Sequence, residues 1–146
     1  MICLKSGGAV SDHILDTNIL IRYLRKMTGY RVLLRAIELK GWTYISAMTR
    51  LEIVRGMQER ERRETFNLLD SLETIPMNSE VADLAGELIR SWRGRGINLS
   101  DSDALIAASA LYKDLTLVTT NARHFPMPEL VVLQADEEGR LTQVAK

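Results

Sequence analysis

The chain is short of cysteine, proline and aromatic residues, has no excess of either charge, and contains no long apolar run. Its single cysteine, Cys3, excludes an internal disulfide and fits a reducing compartment. No apolar stretch approaches the roughly 20 residues needed to span a bilayer, so no membrane association is expected. The opening segment, residues 1–11, carries only Lys5 and lacks the apolar core of a secretory signal. It reads as a loose leader, and the chain is expected to be cytoplasmic. Only two histidines occur, His13 and His124, with no partners at the spacing of a nucleophilic triad. A net charge of zero gives no argument for nucleic-acid binding from the total. The kind of base is more telling: 14 of the 19 basic residues are Arg, which grips phosphate bidentately but is also a good helix former.

What is present fits one soluble domain. The chain has 146 residues, 46% hydrophobic and 26% charged, with no internal repeat or linker. Short apolar runs alternate with helical patterns, which predicts an α/β fold with a parallel sheet and helices on both faces. Strands are expected at 13–15, 42–45, 74–77, 116–119 and 131–133. Helices are expected at 18–26, 30–40, 46–57, 79–92 and 100–112. The domain is taken as 12–134, with a polar, loosely held tail over 135–146. The run Gln58-Glu-Arg-Glu-Arg-Arg-Glu64 resembles a nucleic-acid patch. However, Glu59 with Arg63 and Arg60 with Glu64 are four apart, which predicts the self-paired, solvated start of a helix reaching Leu72.

Three acids lie in or beside apolar segments. Asp16 ends the first strand, at the carboxyl end where open α/β sheets place their ligands. It could instead cap a helix, although Asn18 can do that. Glu52 borders the apolar face of its helix, and alone it reads as a surface residue. Asp103 has a local explanation, since Ser100-x-x-Asp103 is a capping-box pattern and an acid there suits the helix dipole. Asp101 has the same explanation. The combination carries more weight than any member. Acids in apolar surroundings need a partner, and one hard divalent cation, Mg²⁺ or Mn²⁺, can serve all three. Without such an ion, mutual repulsion predicts that one carboxylate holds a proton near neutral pH.

The ordered motifs Leu15-Asp16-Thr17-Asn18-Ile19-Leu20, Ser46-x-x-Thr49-x-x-Glu52-Ile53-x-x-Gly56, Asp103-Ala-Leu-Ile-Ala-Ala108 and Leu115-Thr-Leu-Val-Thr119-x-Asn121-x-x-x-Phe125 resemble a PIN domain of the VapC toxin type. The resemblance implies a three-layer sandwich around a five-stranded parallel sheet in the order 3-2-1-4-5. It implies a divalent-metal endoribonuclease, the toxin of a type II toxin–antitoxin pair. Such an enzyme hydrolyses RNA phosphodiesters with metal-activated water and leaves a 5′-phosphate and a 3′-hydroxyl. Asp16, Glu52 and Asp103 would be the catalytic and metal-binding acids. Thr17 and Thr119 would offer hydroxyls beside them, Asn18 would brace the first turn, and Asn121 would lie close by.

One departure stands out. A further acid of the family pattern is absent near Asn121-Ala-Arg-His124-Phe125, which puts a second metal in doubt; Asp101 would compensate if it points inward. His124 reads as a surface residue rather than a phosphate contact. Arg22, Arg50, Arg55 and Arg123 lie near the motifs and are candidates for holding the RNA backbone. A groove beside Met48 and Met57 would take an antitoxin helix, and a homodimer is expected. Other classes fit less well. A haloacid-type phosphatase wants Asp-x-Asp where this chain has Asp16-Thr17-Asn18, and the acidic pair and late Lys of a receiver domain are missing. A catalytically impaired PIN fold that only binds RNA or a partner is the remaining alternative.

Overall fold

A computed structural model describes residues 12–146. The expected leader, with Cys3, lies outside them. Local chemistry sets the alternation of strand and helix. β1 (His13–Leu15) is buried throughout and stops at Asp16, which is extended and caps α1 (Thr17–Leu24). The expectation that Asn18 caps this helix is thus corrected: the helix starts one residue earlier, directly from the strand. α2 (Thr28–Lys40) ends at Gly41, and β2 (Thr43–Ser46) follows. Ser46 then turns its hydroxyl onto the Met48 N–H and caps α3 (Ala47–Gly56). A 3-10 turn over Glu59–Glu61 leads into α4 (Arg62–Asp70) and β3 (Glu73–Ile75). Asn78 caps α5 (Ser79–Arg93), and Ser100 caps α6 (Asp101–Lys113). β4 (Thr116–Thr119), β5 (Val132–Ala135) and β6 (Leu141–Gln143) complete the chain.

The sheet runs β3-β2-β1-β4-β5-β6. The first five strands are parallel, in the expected order, with Ile14 in register with Tyr44 on one side and Leu117 on the other. β3 forms the edge, and Pro76 lies just beyond it, where its missing N–H breaks no ladder.

The sixth strand corrects the reading of the tail as loosely held. Asp136 Oδ1 accepts from the N–H groups of Glu138 and Arg140, which closes a turn. β6 then pairs antiparallel with β5, Leu133 facing Gln143. The turn packs tightly on the start of α2. A Cβ on Gly29 would collide with the Glu138 carbonyl oxygen, and Gly139 has φ +80°. The Tyr30 hydroxyl donates to the Asp136 carbonyl at 2.7 Å.

Side chains alternate across the sheet into two cores. Ile14 and Leu117 pack with Val81, Leu88 and Ile106 of α5 and α6. Leu15 and Val118 pack with Ile19, Leu33, Ile37 and Leu69 of α1, α2 and α4. Ile21, Tyr23 and Leu24 rest half-buried against this second core. Leu15 is fully buried directly before Asp16, so the site inherits the rigidity of the sheet. Truncating it to Ala would cost about 2–5 kcal/mol.

The charged run also differs from expectation. Because its first turn is 3-10, Glu59 pairs with Arg62 three residues on, at 2.7 Å, rather than with Arg63. Glu61 Oε1 accepts from the Gln58 N–H, and Glu64 pairs with Lys26. Among the described residues no helix is long and apolar enough to cross a membrane.

Candidate functional site

β1 and β4 lie side by side, and their carboxyl ends open onto a cleft of about 390 Å³. Asp16, Glu52 and Asp103 all line it, together with Thr17, Asn18 and Asn121. The two strand ends, the start of α6 and the middle of α3 converge here, which is why residues far apart in sequence share one wall.

Asp16 is buried, 6% exposed, and both of its oxygens are engaged. Oδ1 accepts from the Thr17 N–H at 2.8 Å and so caps α1. Oδ2 accepts from the Thr119 hydroxyl at 2.6 Å. Cap and site residue are therefore the same side chain, using different oxygens. Thr119 is itself fully buried and accepts from the Asn121 N–H at 3.0 Å, which fixes its proton toward Asp16.

Glu52 is held in the same manner from two helices. The Thr17 hydroxyl donates to Oε1 at 2.6 Å and lies 3.0 Å from the hydroxyl of Thr49. The Ser102 hydroxyl donates to Oε2 at 2.9 Å from the first turn of α6. Glu52 makes no ion pair with Arg55, which lines the same cleft. Asp103 donates its backbone N–H to Ser100 Oγ, while its carboxylate turns into the cleft, 3.4 Å from His124 Nδ1.

Burial raises the Asp16 carboxyl above its ordinary value; the bonds from Thr119 and Thr17 pull it back, and the charges of Asp103 and Glu52 push it up again. Burial likewise raises Asp103, against the pull of His124 and Ser100, with Glu52 adding to the rise. Three carboxyl groups thus line the cleft against Arg55 and the His124 imidazole. The donor set is entirely hard oxygen, which suits Mg²⁺ or Mn²⁺. The side chains are not already drawn into a cage: among the described residues no three of His, Cys, Asp and Glu stand close enough together to hold a metal ion.

Other expected residues divide. Arg55 lines the cleft. Arg123 is exposed on the short turn Ala122–His124 beside it. Arg22 is drawn to Glu137 at 3.2 Å and lies over the Tyr30 ring. Arg50 is occupied by the fold: it pairs with Asp70 at 2.6 Å, reaches the Leu69 carbonyl and Thr74, and covers Phe66. Asp101 does not line the acidic cleft but faces α5 beside Asp83, so it does not replace a fourth acid. His124 is exposed, as expected of a surface residue, and also lines the cleft wall. Thr49 is marked in sequence only as a member of the motif around Glu52, and Ser102 does not stand out. Ser102 precedes Asp103 in a capping turn, and nothing local shows that it will reach across to Glu52.

A neighbouring groove of about 370 Å³ shares Glu52 and Ile21 with the cleft. Leu24, Ile53 and Met57 wall it, and Glu61 and Glu64 rim it; Met48, expected there, is not part of its lining.

Comparison with known proteins adds three findings. The family described as PIN domain matches residues 13–128. Ribonuclease VapC10 of Mycobacterium tuberculosis is 36% identical over 116 residues, covering 80% of this chain and 87% of that one. Among solved structures, VapBC2 of Rickettsia felis bound to a promoter DNA fragment aligns at TM-score 0.75 and 24% identity, over 86% of this chain and 99% of that one. A toxin–antitoxin complex from Klebsiella pneumoniae aligns at TM-score 0.67 and 26% identity, over 82% and 95%.

Proposed function

The chain belongs to the PIN domain family, and from that premise we propose that it is a divalent-metal-dependent endoribonuclease, the toxin half of a toxin–antitoxin pair. One observation carries the reading: Asp16, Glu52 and Asp103 meet in a single cleft at the carboxyl ends of β1 and β4. The likeness to a Mycobacterium ribonuclease and to a Klebsiella toxin–antitoxin complex supports it.

Asp16, Glu52 and Asp103 would hold Mg²⁺ or Mn²⁺. When bound, the ion supplies an acidified water and positive charge facing the scissile phosphate. The chain's own residues do the positioning. Thr119 and the Thr17 N–H fix both oxygens of Asp16, and Thr17 and Ser102 fix both oxygens of Glu52. Asp16 and Glu52 are thereby held in orientation, and drawing the three acids together is the reorganisation that an ion would supply. Arg55 and His124, both at the wall, would meet the RNA phosphate. Three carboxylates without a fourth make a one-metal site the simplest arrangement.

An antitoxin helix fits the adjoining groove, with apolar residues against Leu24, Ile53 and Met57 and a basic residue toward Glu52, Glu61 and Glu64. The protein works in the cytoplasm, as a homodimer. The test is cleavage of single-stranded RNA by purified, antitoxin-free protein with Mg²⁺, Mn²⁺ or EDTA. Metal-dependent cleavage supports the reading. A folded, metal-loaded protein that binds RNA and cuts none of several substrates overturns it in favour of a binding role.

A further inference from the structure

The acidic cleft poses an electrostatic problem for a polyanionic substrate. Three carboxylates line it against Arg55 and His124, and the whole chain has no net positive charge. Affinity for RNA must then come from basic residues gathered elsewhere, within reach of the same strand.

The structure holds such a group. A shallow cleft of about 430 Å³ lies between α2 and the 3-10 turn and α4, bordered by Arg31, Arg60 and Arg63, with Tyr23 and Asn67 also lining it. Arg35, one helical turn beyond Arg31, continues the cleft along α2. All four arginines are exposed, and none of them forms an ion pair among the described residues. The 3-10 turn gives Glu59 to Arg62 and so leaves Arg63 without its i,i+4 partner, while Lys26 takes Glu64 from Arg60. The nearest acids are engaged or marginal: Glu64 is held by Lys26, and Glu38 lies at the far end beside Arg35. Arg31 also lies over the Tyr23 ring at 5.3 Å, an arginine–aromatic surface of the kind on which unpaired bases stack.

The cleft connects with the acids. The groove that shares Glu52 and Ile21 with the acidic cleft shares Glu64 with this one. We propose that Arg31, Arg35, Arg60 and Arg63 form a second subsite that holds the backbone of single-stranded RNA whose scissile phosphate lies at Asp16, Glu52 and Asp103. The proposal rests on the ribonuclease reading. RNA is the occupant the observations favour, because the proposed substrate itself carries phosphates along its length, and Arg meets phosphate bidentately.

The test compares binding of mixed-sequence single-stranded RNAs of ~4 and ~20 nucleotides by Asp16→Asn protein in Mg²⁺, across a salt series. One variant adds Arg31→Gln, Arg35→Gln, Arg60→Gln and Arg63→Gln. A control carries the same charge change at Arg90, Arg93, Arg95 and Arg140. Circular dichroism checks that each is folded. The cleft variant is expected to bind the long RNA at least about tenfold more weakly near 50 mM salt, its salt slope falling by about 0.7 for each phosphate that the arginines no longer neutralise. The control should bind as the parent does. With Asp16 restored, cleavage of the short RNA should be unchanged in both. Equal weakening in cleft variant and control, or an unchanged slope while wild type still cuts RNA, overturns the subsite and leaves the nuclease standing. RNA binding that stays unmoved while the cleft variant alone loses a polyglutamate peptide assigns the surface to an acidic protein partner and overturns the proposal. Wild type that neither binds nor cuts RNA removes the nuclease reading and the subsite with it.

Discussion

Replacing Thr119 by Val removes one hydroxyl and keeps the shape of the side chain. In the fully buried original, that hydroxyl donates to Asp16 Oδ2 at 2.6 Å and accepts from the Asn121 N–H at 3.0 Å. The first bond is to a carboxylate and is worth about 1.5–3 kcal/mol, and the second adds about 0.5–1.5 kcal/mol. A loss of roughly 2–4 kcal/mol is therefore expected at neutral pH. For a chain of this size that lowers Tm by roughly 4–16 °C. The loss should shrink in acid. The Thr119 bond favours the ionised carboxylate, so its contribution fades once Asp16 is protonated. Thr119→Ser keeps the donor and should recover most of the stability. Urea unfolding at neutral pH and near pH 4 measures all three proteins. A Thr119→Val protein as stable as wild type at neutral pH, or equally destabilised at both pH values, would refute the coupling between this hydroxyl and the Asp16 charge.

Other consequences follow from the same contacts. Burial raises both the Asp16 and the Asp103 carboxyl above the ordinary aspartate value, so the folded protein holds these protons more tightly than the unfolded chain does. In metal-free protein the stability that these two groups contribute should then be present below about pH 4 and be lost as pH rises through their folded values. At neutral pH, Mg²⁺ at about a hundred times its Kd should add about 2.7 kcal/mol, measured as a Tm rise that EDTA reverses. Arg50→Met should cost about 1–2 kcal/mol in urea unfolding, through the Asp70 pair and the Phe66 contact, and leave RNA affinity unchanged. Gly29→Ala should drive a methyl group into the Glu138 carbonyl and cost roughly 1–3 kcal/mol, with faster hydrogen exchange in β6 as the local signature.

The parts of this site that are legible in sequence are those set by local pattern. A strand ending in Asp16 and a helix opening at Asp103 mark sheet ends, and ligands gather at sheet ends. Strand order is legible only through the family resemblance, which sets β1 beside β4. Glu52 is legible only through the motif around it, because its role depends on α3 and α6 crossing closely enough for Ser102 to reach it. That crossing has no local signature. Arg50 and Arg55 lie five residues apart on one helix, yet one braces α4 and the other faces the cleft; periodicity does not say which neighbours the helix will meet. The sixth strand escapes a sequence reading because a short, polar strand at a sheet edge carries little alternation, although Asp136 and Gly139 supply the turn that creates it. In the 58–64 run, a 3-10 start moves the ion pairing by one residue, and no propensity argument foresees that shift.

Whether Asp16, Glu52 and Asp103 share one catalytic cation can be decided by calorimetric titration of Mn²⁺ into wild type, Asp16→Asn and Glu52→Gln, with RNA cleavage followed on the same samples. One ion per wild-type chain is expected. Ion binding and cleavage should be lost together in Asp16→Asn and weakened together in Glu52→Gln, each protein remaining folded. Cleavage that survives in Asp16→Asn, or that proceeds undiminished in EDTA, would mean that the acids do not work through a shared ion.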